Sequence, residues 1–134
     1  MNKFVSFEGI GYVAATFPVS SAAKTYLETN YLNAKTGNVD VNGKNLAVVL
    51  NEDGTVGFGS GVLLGIMKVY EMDGFATIQI KGGVDGVPTA SVLTAGVKSL
   101  KVNSSGALVA ESNGNMVAVT KPSKADSLYA SIIL

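Results

Sequence analysis

The 134-residue chain contains no cysteine, no histidine, no tryptophan and no arginine. Without cysteine it can form neither a disulfide nor a thiolate metal site. Without histidine it can build neither a Ser-His-Asp triad nor a His-bound zinc site. A proton shuttle at neutral pH would have to be a carboxylate, a lysine or a tyrosine with a shifted pKa, and no pattern in the sequence indicates one. The sequence therefore predicts that the protein is not an enzyme and that it holds no cofactor and no metal ion.

Charge is also scarce. Ten lysines balance ten acidic residues, and charged residues make up 15% of the chain, whereas a typical domain has about 25%. Arginine is the side chain best suited to phosphates and base edges, so its absence, with no lysine cluster in its place, argues against a nucleic-acid partner. A neutral and weakly charged surface favours association. We therefore expect other protein subunits to cover much of the surface.

Long apolar runs are missing as well. The longest apolar stretch, residues 62–67, has six residues including Gly65, whereas a membrane-spanning helix needs about 20. Glu8 and two glycines interrupt the apolar residues near the N-terminus, so we expect no secretory signal and a chain that starts at its native methionine. These features predict no membrane partner and synthesis in a reducing cytoplasm.

Turn-forming residues, by contrast, are abundant. Sixteen glycines occur mostly beside Asn, Asp or Ser, as turns that need a positive φ require. From residue 36 onward, short apolar runs alternate with turn signals at 42–43, 51–54, 73–74 and 103–106, and residues 99–109 have the outline of a hairpin. The pattern predicts an all-β fold, either a small β-barrel or a β-sandwich with Gly-rich hairpin turns. The apolar end, residues 132–134, predicts a buried last strand.

Residues 1–35 are less regular than the rest. We interpret them as an N-terminal arm or short helical segment preceding a β-domain at 36–134, and Ser20 or Ser21 could cap a helix of one or two turns. Six of the ten aromatic residues lie in this arm, where apolar residues show no regular spacing. They either contact a partner or fold back onto the β-domain, and the sequence leaves both open. The candidate partner contacts are Phe4, Phe7, Tyr12, Phe17, Tyr26 and Tyr31.

Several motifs superficially suggest ligand sites. Residues 57–61 resemble a phosphate loop, but the third glycine of a dinucleotide fingerprint would fall on Val62 and no helix pattern follows. Gly43-Lys44 resembles the end of a P-loop but is followed by asparagine, so we interpret it as a hairpin turn. The acidic residues at 51–54 and 71–73 are expected to be solvated turn residues rather than a catalytic pair or a calcium loop.

Three motifs in the second half of the chain resemble a known family. They are Leu64-Gly65-Ile66, the alternating stretch at 76–84, and Leu93-Thr94-Ala95-Gly96 followed by 97–108. Through the order and spacing of these motifs, the stretch from about Gly43 to Leu134, roughly 90 residues, resembles the small decoration, or cement, proteins of phage capsids. Val97 stands where members of that family more commonly have an acidic residue, and the first 40 residues match no pattern of the family.

The resemblance implies a structural virion protein. Such proteins bind the outer surface of the head, often as trimers or dimers, and clamp neighbouring major capsid subunits together. The resemblance thus implies the major capsid protein as partner, a homo-oligomer, and a location on the outer surface of a virion made in a bacterial host. An alternative is a phage tail, baseplate or head-fibre module that binds a host glycan.

Overall fold

The structure, a computed structural model, describes residues 11–71 and 73–134. It is built of antiparallel β-sheets with one helix in the described ranges, which confirms the all-β fold class. In chain order the elements are β1 (Val13–Pro18), α1 (Ser21–Asn30), β2 (Leu46–Leu50), β3 (Val56–Gly57), β4 (Gly61–Val62), β5 (Gly65–Tyr70), β6 (Phe75–Lys81), β7 (Gly83–Pro88), β8 (Gly96–Val102), β9 (Leu108–Ala110), β10 (Asn115–Lys121) and β11 (Tyr129–Ile133).

The strands form two sheets. The first has the order β1-β6-β5-β2-β3, and the second has the order β4-β8-β10-β11-β7, with β9 paired to β8. All named strand pairs are antiparallel. Short turns rich in Gly, Asn and Asp join three of the paired strands directly, β2 to β3, β5 to β6 and β8 to β9, as expected for hairpins.

Two hydrophobic cores lie on opposite faces of the first sheet. Ile66 of β5 and Ala47 of β2 belong to the core shared with the second sheet, which also contains Leu100 and Ile132. Met67, the next residue along β5, belongs to the other core, where it packs with Leu27 of α1. Successive residues of a strand point to opposite faces, so one strand can serve both cores. The first sheet is therefore the middle layer of the molecule.

Three predictions from the turn pattern are confirmed. Residues 51–54 connect β2 to β3, and residues 103–106 connect β8 to β9 in the expected hairpin. Asn103 holds the second turn, because its Oδ1 accepts hydrogen bonds from the backbone amides of Ser105 and Ala107 at 3.0 Å each. The apolar end forms β11, in which Ile132 is fully buried. Burial of that strand in the core explains why the chain ends on apolar residues.

The structure corrects three details. The sequence predicts one longer β-like stretch over residues 62–70, but the structure divides it between β4 in the second sheet and β5 in the first. Residues 43–44 form a turn that precedes β2 without joining two paired strands, so they are not a hairpin turn. The motif at 76–84 predicts that Gly83 closes a strand, but Gly83 begins β7. Gly82, with φ +105°, makes the turn. In each case the sequence indicates a strand or a turn at the right place. Which strand it joins or pairs with depends on contacts with residues far along the chain.

Residues 13–30 pack on the β-sheets. Strand β1 pairs with β6 along its whole length, and Leu27 of α1 is fully buried. The helix spans ten residues, slightly more than the one or two turns predicted. The division of the chain into an arm at 1–35 and a domain at 36–134 stays a prediction.

Ser20 is the residue that caps the helix. Its Oγ accepts a hydrogen bond from the backbone amide of Ala23 at 3.2 Å, whereas Ser21 is the first helical residue. We expect Ser20→Ala to lower the free energy of unfolding by about 1 kcal/mol because it leaves a helix N–H without that acceptor. Ser21→Ala is the matched control and should change it by less than about 0.5 kcal/mol. Urea denaturation followed by circular dichroism measures both, and equal losses would contradict the assignment.

Candidate functional site

The second sheet has a face on which several large apolar side chains are exposed within residues 11–71 and 73–134. Both faces of the first sheet are packed, one against the second sheet and the other against α1 and the segment that follows it. The inner face of the second sheet contributes Leu100 and Val117 to the core. Its opposite face, which we call the outer face, carries the exposed side chains of Val97 and Met116, whereas Ser131 of β11 on the same face is buried. An antiparallel sheet in this position normally carries polar side chains toward water.

Large apolar side chains occupy the outer face instead. Val97 of β8 is 67% exposed and Met116 of β10 is 63% exposed, and Val62 of β4 is 50% exposed. Val97 lies opposite Ala118, and Ala118 lies opposite Ile133 of β11, so an apolar row crosses three strands. Exposed apolar side chains that adjoin one another on a sheet are typical of an interaction surface.

Little charge interrupts this row. Lys101 lies opposite Val62, and its Nζ is 3.9 Å from a carboxylate oxygen of Glu111. This ion pair is solvated and contributes little to stability. Ser99 lies opposite Met116 and uses its Oγ to accept a hydrogen bond from the backbone amide of Gly114 at 2.7 Å. The outer face is therefore apolar along the row from Val97 to Ile133. Charged side chains lie at both borders, Lys101 and Glu111 on one side and Lys121, which is paired with Ser131, on the other.

The edge strand β1 is a second feature suited to contact. It lies at the end of the first sheet and carries no charged side chain from Val13 to Pro18. Edge strands of monomeric proteins are usually protected by charge, by proline or by a bulge, because their free backbone groups can pair with another chain. Here Pro18 and a register shift between Val13 and Ala14 provide partial protection.

The predicted contact residues do not form one surface. Tyr12 is 59% exposed just before β1, whereas Phe17 is half-buried and packs against the core beside α1. Tyr26 and Tyr31 are half-buried, with ring centroids 6.2 Å apart and planes tilted by 58°. Phe4 and Phe7 lie outside the described residues. The assignment of these six residues as partner contacts stays a prediction.

Tyr26 and Tyr31 border a cavity of about 810 Å³ at one end of the sandwich, which we call the tyrosine groove. The start of β2, the end of β7, the β8–β9 turn and the start of β11 form its other walls. Its lining residues are Tyr26, Tyr31, Gly43, Lys44, Asn45, Leu46, Asp85, Gly86, Pro88, Thr89, Ala90, Asn103, Ser105, Ala107, Leu128 and Tyr129. The groove is thus distinct from the outer face, although β11 contributes to both.

Electrostatics in the groove are mild. Burial raises the pKa of Tyr31, and interactions with Tyr26 and Tyr129 raise it further. Burial lowers the pKa of Lys68, and the negative charge of Asp85 partly offsets that effect. Lys68 donates a hydrogen bond to Asn45 Oδ1 at 3.1 Å, and Asn45 Nδ2 donates to the carbonyl oxygen of Asp85 at 2.7 Å. These contacts hold the groove wall and give it no strongly activated group.

The residues that resembled ligand motifs have structural roles. Residues 57–61 run from β3 to β4, and the chain continues into β5 rather than into a helix. Asp53 lies in the β2–β3 turn, where hydrogen bonds from the Thr55 side chain and backbone lower its pKa. Within residues 11–71 and 73–134 no group of three or more acidic side chains is placed to hold a metal ion.

Sequence reasoning missed the outer face. It singled out Val97 only because the related pattern more commonly has an acid there, yet Val97 is more exposed than any other large apolar side chain described. The signal was present: a half-buried strand should alternate apolar and polar residues, but residues 115–119 carry apolar side chains on both faces. Strands with two apolar faces are buried on both sides, either within a chain or by a partner.

None of the helices in the described part of the chain is long and apolar enough to cross a membrane. No protein-family model matches the chain, and no curated protein matches it either.

Proposed function

We propose that the protein is a structural virion protein that decorates the outer surface of a phage capsid and cements neighbouring major capsid subunits. The observation that carries the proposal is the apolar outer face, with Val97 and Met116 more than half exposed. The resemblance of residues 64–108 to capsid decoration proteins supplies the partner. The two arguments are independent, because the resemblance rests on turn and strand motifs and the outer face rests on exposure.

Desolvation of the outer face would supply the binding free energy. Complete burial of a valine or methionine side chain is favourable by about 1.5–3 kcal/mol. Val97 and Met116 are more than half exposed in the folded chain, so a partner can bury most of each side chain. A single copy would bind weakly, because association costs several kcal/mol in lost freedom. Repetition of the contact by capsid symmetry, or by self-association as a trimer or dimer, would raise the total affinity.

The low charge of the chain suits that role. With a net charge of zero, long-range repulsion would not oppose crowding many copies on one lattice. Edge strand β1 could add to a sheet of a neighbouring subunit, since strand addition uses backbone hydrogen bonds and requires little specific sequence. Binding through the outer face and the edge would leave the end of the sandwich exposed.

The central test is co-sedimentation with expanded heads assembled from the major capsid protein of the same genome and lacking this protein. We expect wild-type protein to bind, and Val97→Lys with Met116→Lys to weaken binding by about 30-fold or more, as for loss of a central contact. Each lysine would place a charge in the surface that must be desolvated.

Val69→Lys is the matched control, because Val69 is an exposed strand residue of the first sheet and lies outside the outer face. It should bind as the wild type does. Circular dichroism must show that all variants are folded. Equal binding by the double variant, or no binding of wild-type protein to expanded heads, would contradict the proposal, and the second result would favour a tail or fibre module.

A further inference from the structure

We propose that the tyrosine groove is a binding site for a neutral saccharide. The groove is centred on Tyr26 and Tyr31, away from Val97 and Met116, and meets the outer face at Tyr129, which lies on the same side of β11 as Ile133. Its volume, about 810 Å³, lies within the range of about 300–1,000 Å³ common for small-ligand sites. It would hold a ligand of a few sugar rings.

The aromatic wall is the first argument. Three of the five tyrosines of the chain border the groove: Tyr26, Tyr31 and Tyr129. Tyr26 also contacts Phe58, with ring centroids 5.2 Å apart, which fixes its ring from behind. Tyr129 is 57% exposed at the start of β11. Aromatic rings with a polar end suit a ligand that has an apolar C–H face and hydroxyl edges, as a sugar ring has.

The polar groups are the second argument. Asn103 and Ser105 belong to the β8–β9 turn and Asp85 belongs to β7, so two walls of the groove carry polar side chains. Together with backbone groups they provide both donors and acceptors. A sugar hydroxyl both donates and accepts, so it can use either kind. The lining contains one lysine, Lys44, and one acid, Asp85. This balance of charge favours a neutral ligand over a phosphate or a polyanion.

A buried hydroxyl is the third argument. Thr89 lines the groove and is 5% exposed, and its Oγ1 has no hydrogen-bond partner within the described structure. Its backbone is fixed, because its amide donates to the carbonyl oxygen of Leu128 at 2.9 Å. An unsatisfied buried hydroxyl is destabilising and unusual in a native protein. A ligand hydroxyl that reached it after a small side-chain rotation would satisfy it.

The groove is also preformed. Tyr26 Oη donates to the carbonyl oxygen of Ser105 at 3.4 Å, which joins α1 to the β8–β9 turn across one wall. Asn45, which has a left-handed φ of +52°, joins the start of β2 to β7 through its hydrogen bond to Asp85. A site whose walls are already held binds without a large ordering cost.

The test is a titration of ¹⁵N-labelled full-length protein with maltotriose and with N,N′-diacetylchitobiose, followed by amide chemical shifts. Tyrosine fluorescence gives a second readout, because the chain has no tryptophan to mask it. We expect shifts confined to the groove lining with at least one of the two sugars and a dissociation constant of about 1 mM, as is usual for an open site. Glucose 6-phosphate should bind no better than maltotriose.

Two variants test the contacts. Tyr129→Ala removes an exposed ring and should weaken binding about tenfold, whereas Tyr12→Ala, which removes a tyrosine of similar exposure outside the groove, should leave it unchanged. Thr89→Val keeps the side-chain shape and should weaken binding about fivefold without lowering the melting temperature.

Three results would overturn the proposal. The first is an unchanged spectrum with both sugars at about 20 mM. The second is an equal titration of Tyr129→Ala and the wild type. The third is binding of a polyproline peptide in the groove while both sugars leave it unchanged, which would assign the tyrosines to peptide recognition. None of these outcomes bears on co-sedimentation with capsids, so the two proposals fail separately.

Discussion

Gly65→Ala is expected to lower the free energy of unfolding by about 3 kcal/mol or more, which is a large fraction of the stability of a small domain. Gly65 begins β5, in the middle layer of the molecule. A Cβ built there would overlap the carbonyl oxygen of Gln79 on β6 and lie 3.0 Å from Ile78 Cγ2. Relief of that overlap would require β5 and β6 to separate, with loss of packing in both cores.

The backbone of β6 has little freedom to move aside. Gln79 is 1% exposed, and its Nε2 donates to the carbonyl oxygens of Lys81 at 3.1 Å and Gly83 at 3.2 Å. A shift of this residue would break buried hydrogen bonds in addition to packing. The substitution is therefore expected to be costly even though alanine is only one methyl group larger.

Urea denaturation followed by far-ultraviolet circular dichroism measures the effect. Gly11→Ala is the matched control, because a Cβ at Gly11 meets no heavy atom within 4 Å. It should change the free energy of unfolding by less than about 0.5 kcal/mol. A Gly65→Ala protein with the wild-type midpoint would show that the two strands are not in this close contact.

The example of Gly65 shows where prediction from sequence succeeds. The position of Gly65 inside an apolar run predicts that it bends a strand. The structure assigns it instead to a close approach of two strands, which depends on a residue 14 positions away (Gln79). Turn chemistry is local and was predicted well at residues 51–54 and 103–106. Strand pairing is not local, so the sequence could not predict that the chain passes from the second sheet at β4 to the first sheet at β5.

The candidate surfaces were likewise predictable from the sequence only where the signal is local. Tyr26 and Tyr31 were predicted as contact residues from the density of aromatics in the first 35 residues. Their proximity to Tyr129 could not be predicted, because α1 and β11 are about 100 residues apart in the sequence. The outer face was predictable in part, since residues 115–119 lack the alternation of a half-buried strand. Its extent required the register that places Ala118 between Val97 and Ile133.

The two proposed surfaces are compatible in one molecule. The outer face is formed by β4, β8, β10 and β11 of the second sheet, whereas most of the tyrosine groove is lined by α1, the start of β2, the end of β7 and the β8–β9 turn. A protein fixed to a capsid through the first could present the second to the medium. A saccharide site in that position would give weak contacts repeated over the whole particle, and many weak contacts add to a strong total interaction.

Leu27→Ala is expected to lower the free energy of unfolding by about 3 kcal/mol, within the range for truncation of a large core side chain. Leu27 is fully buried in the core that contains Met67 and Ile78, so the cavity would open between α1 and the first sheet. Thr29→Ala, on the exposed side of the same helix, is the control. It should lower the free energy of unfolding by less than about 0.5 kcal/mol. Melting temperatures and urea midpoints measure both variants.

The Leu27 result also decides how residues 1–35 relate to the rest of the chain. If they form a separable arm, Leu27→Ala should release α1 and leave the β-domain with its wild-type unfolding midpoint. If α1 and β1 are part of one cooperative unit, the whole protein should unfold in a single transition at a lower urea concentration. We expect the second outcome, because β1 is hydrogen-bonded along β6 and Leu27 fills the core on which both sheet strands β5 and β6 pack. Deletion of residues 1–35 would then abolish folding rather than capsid binding alone, and point variants on the outer face are the sharper test of function.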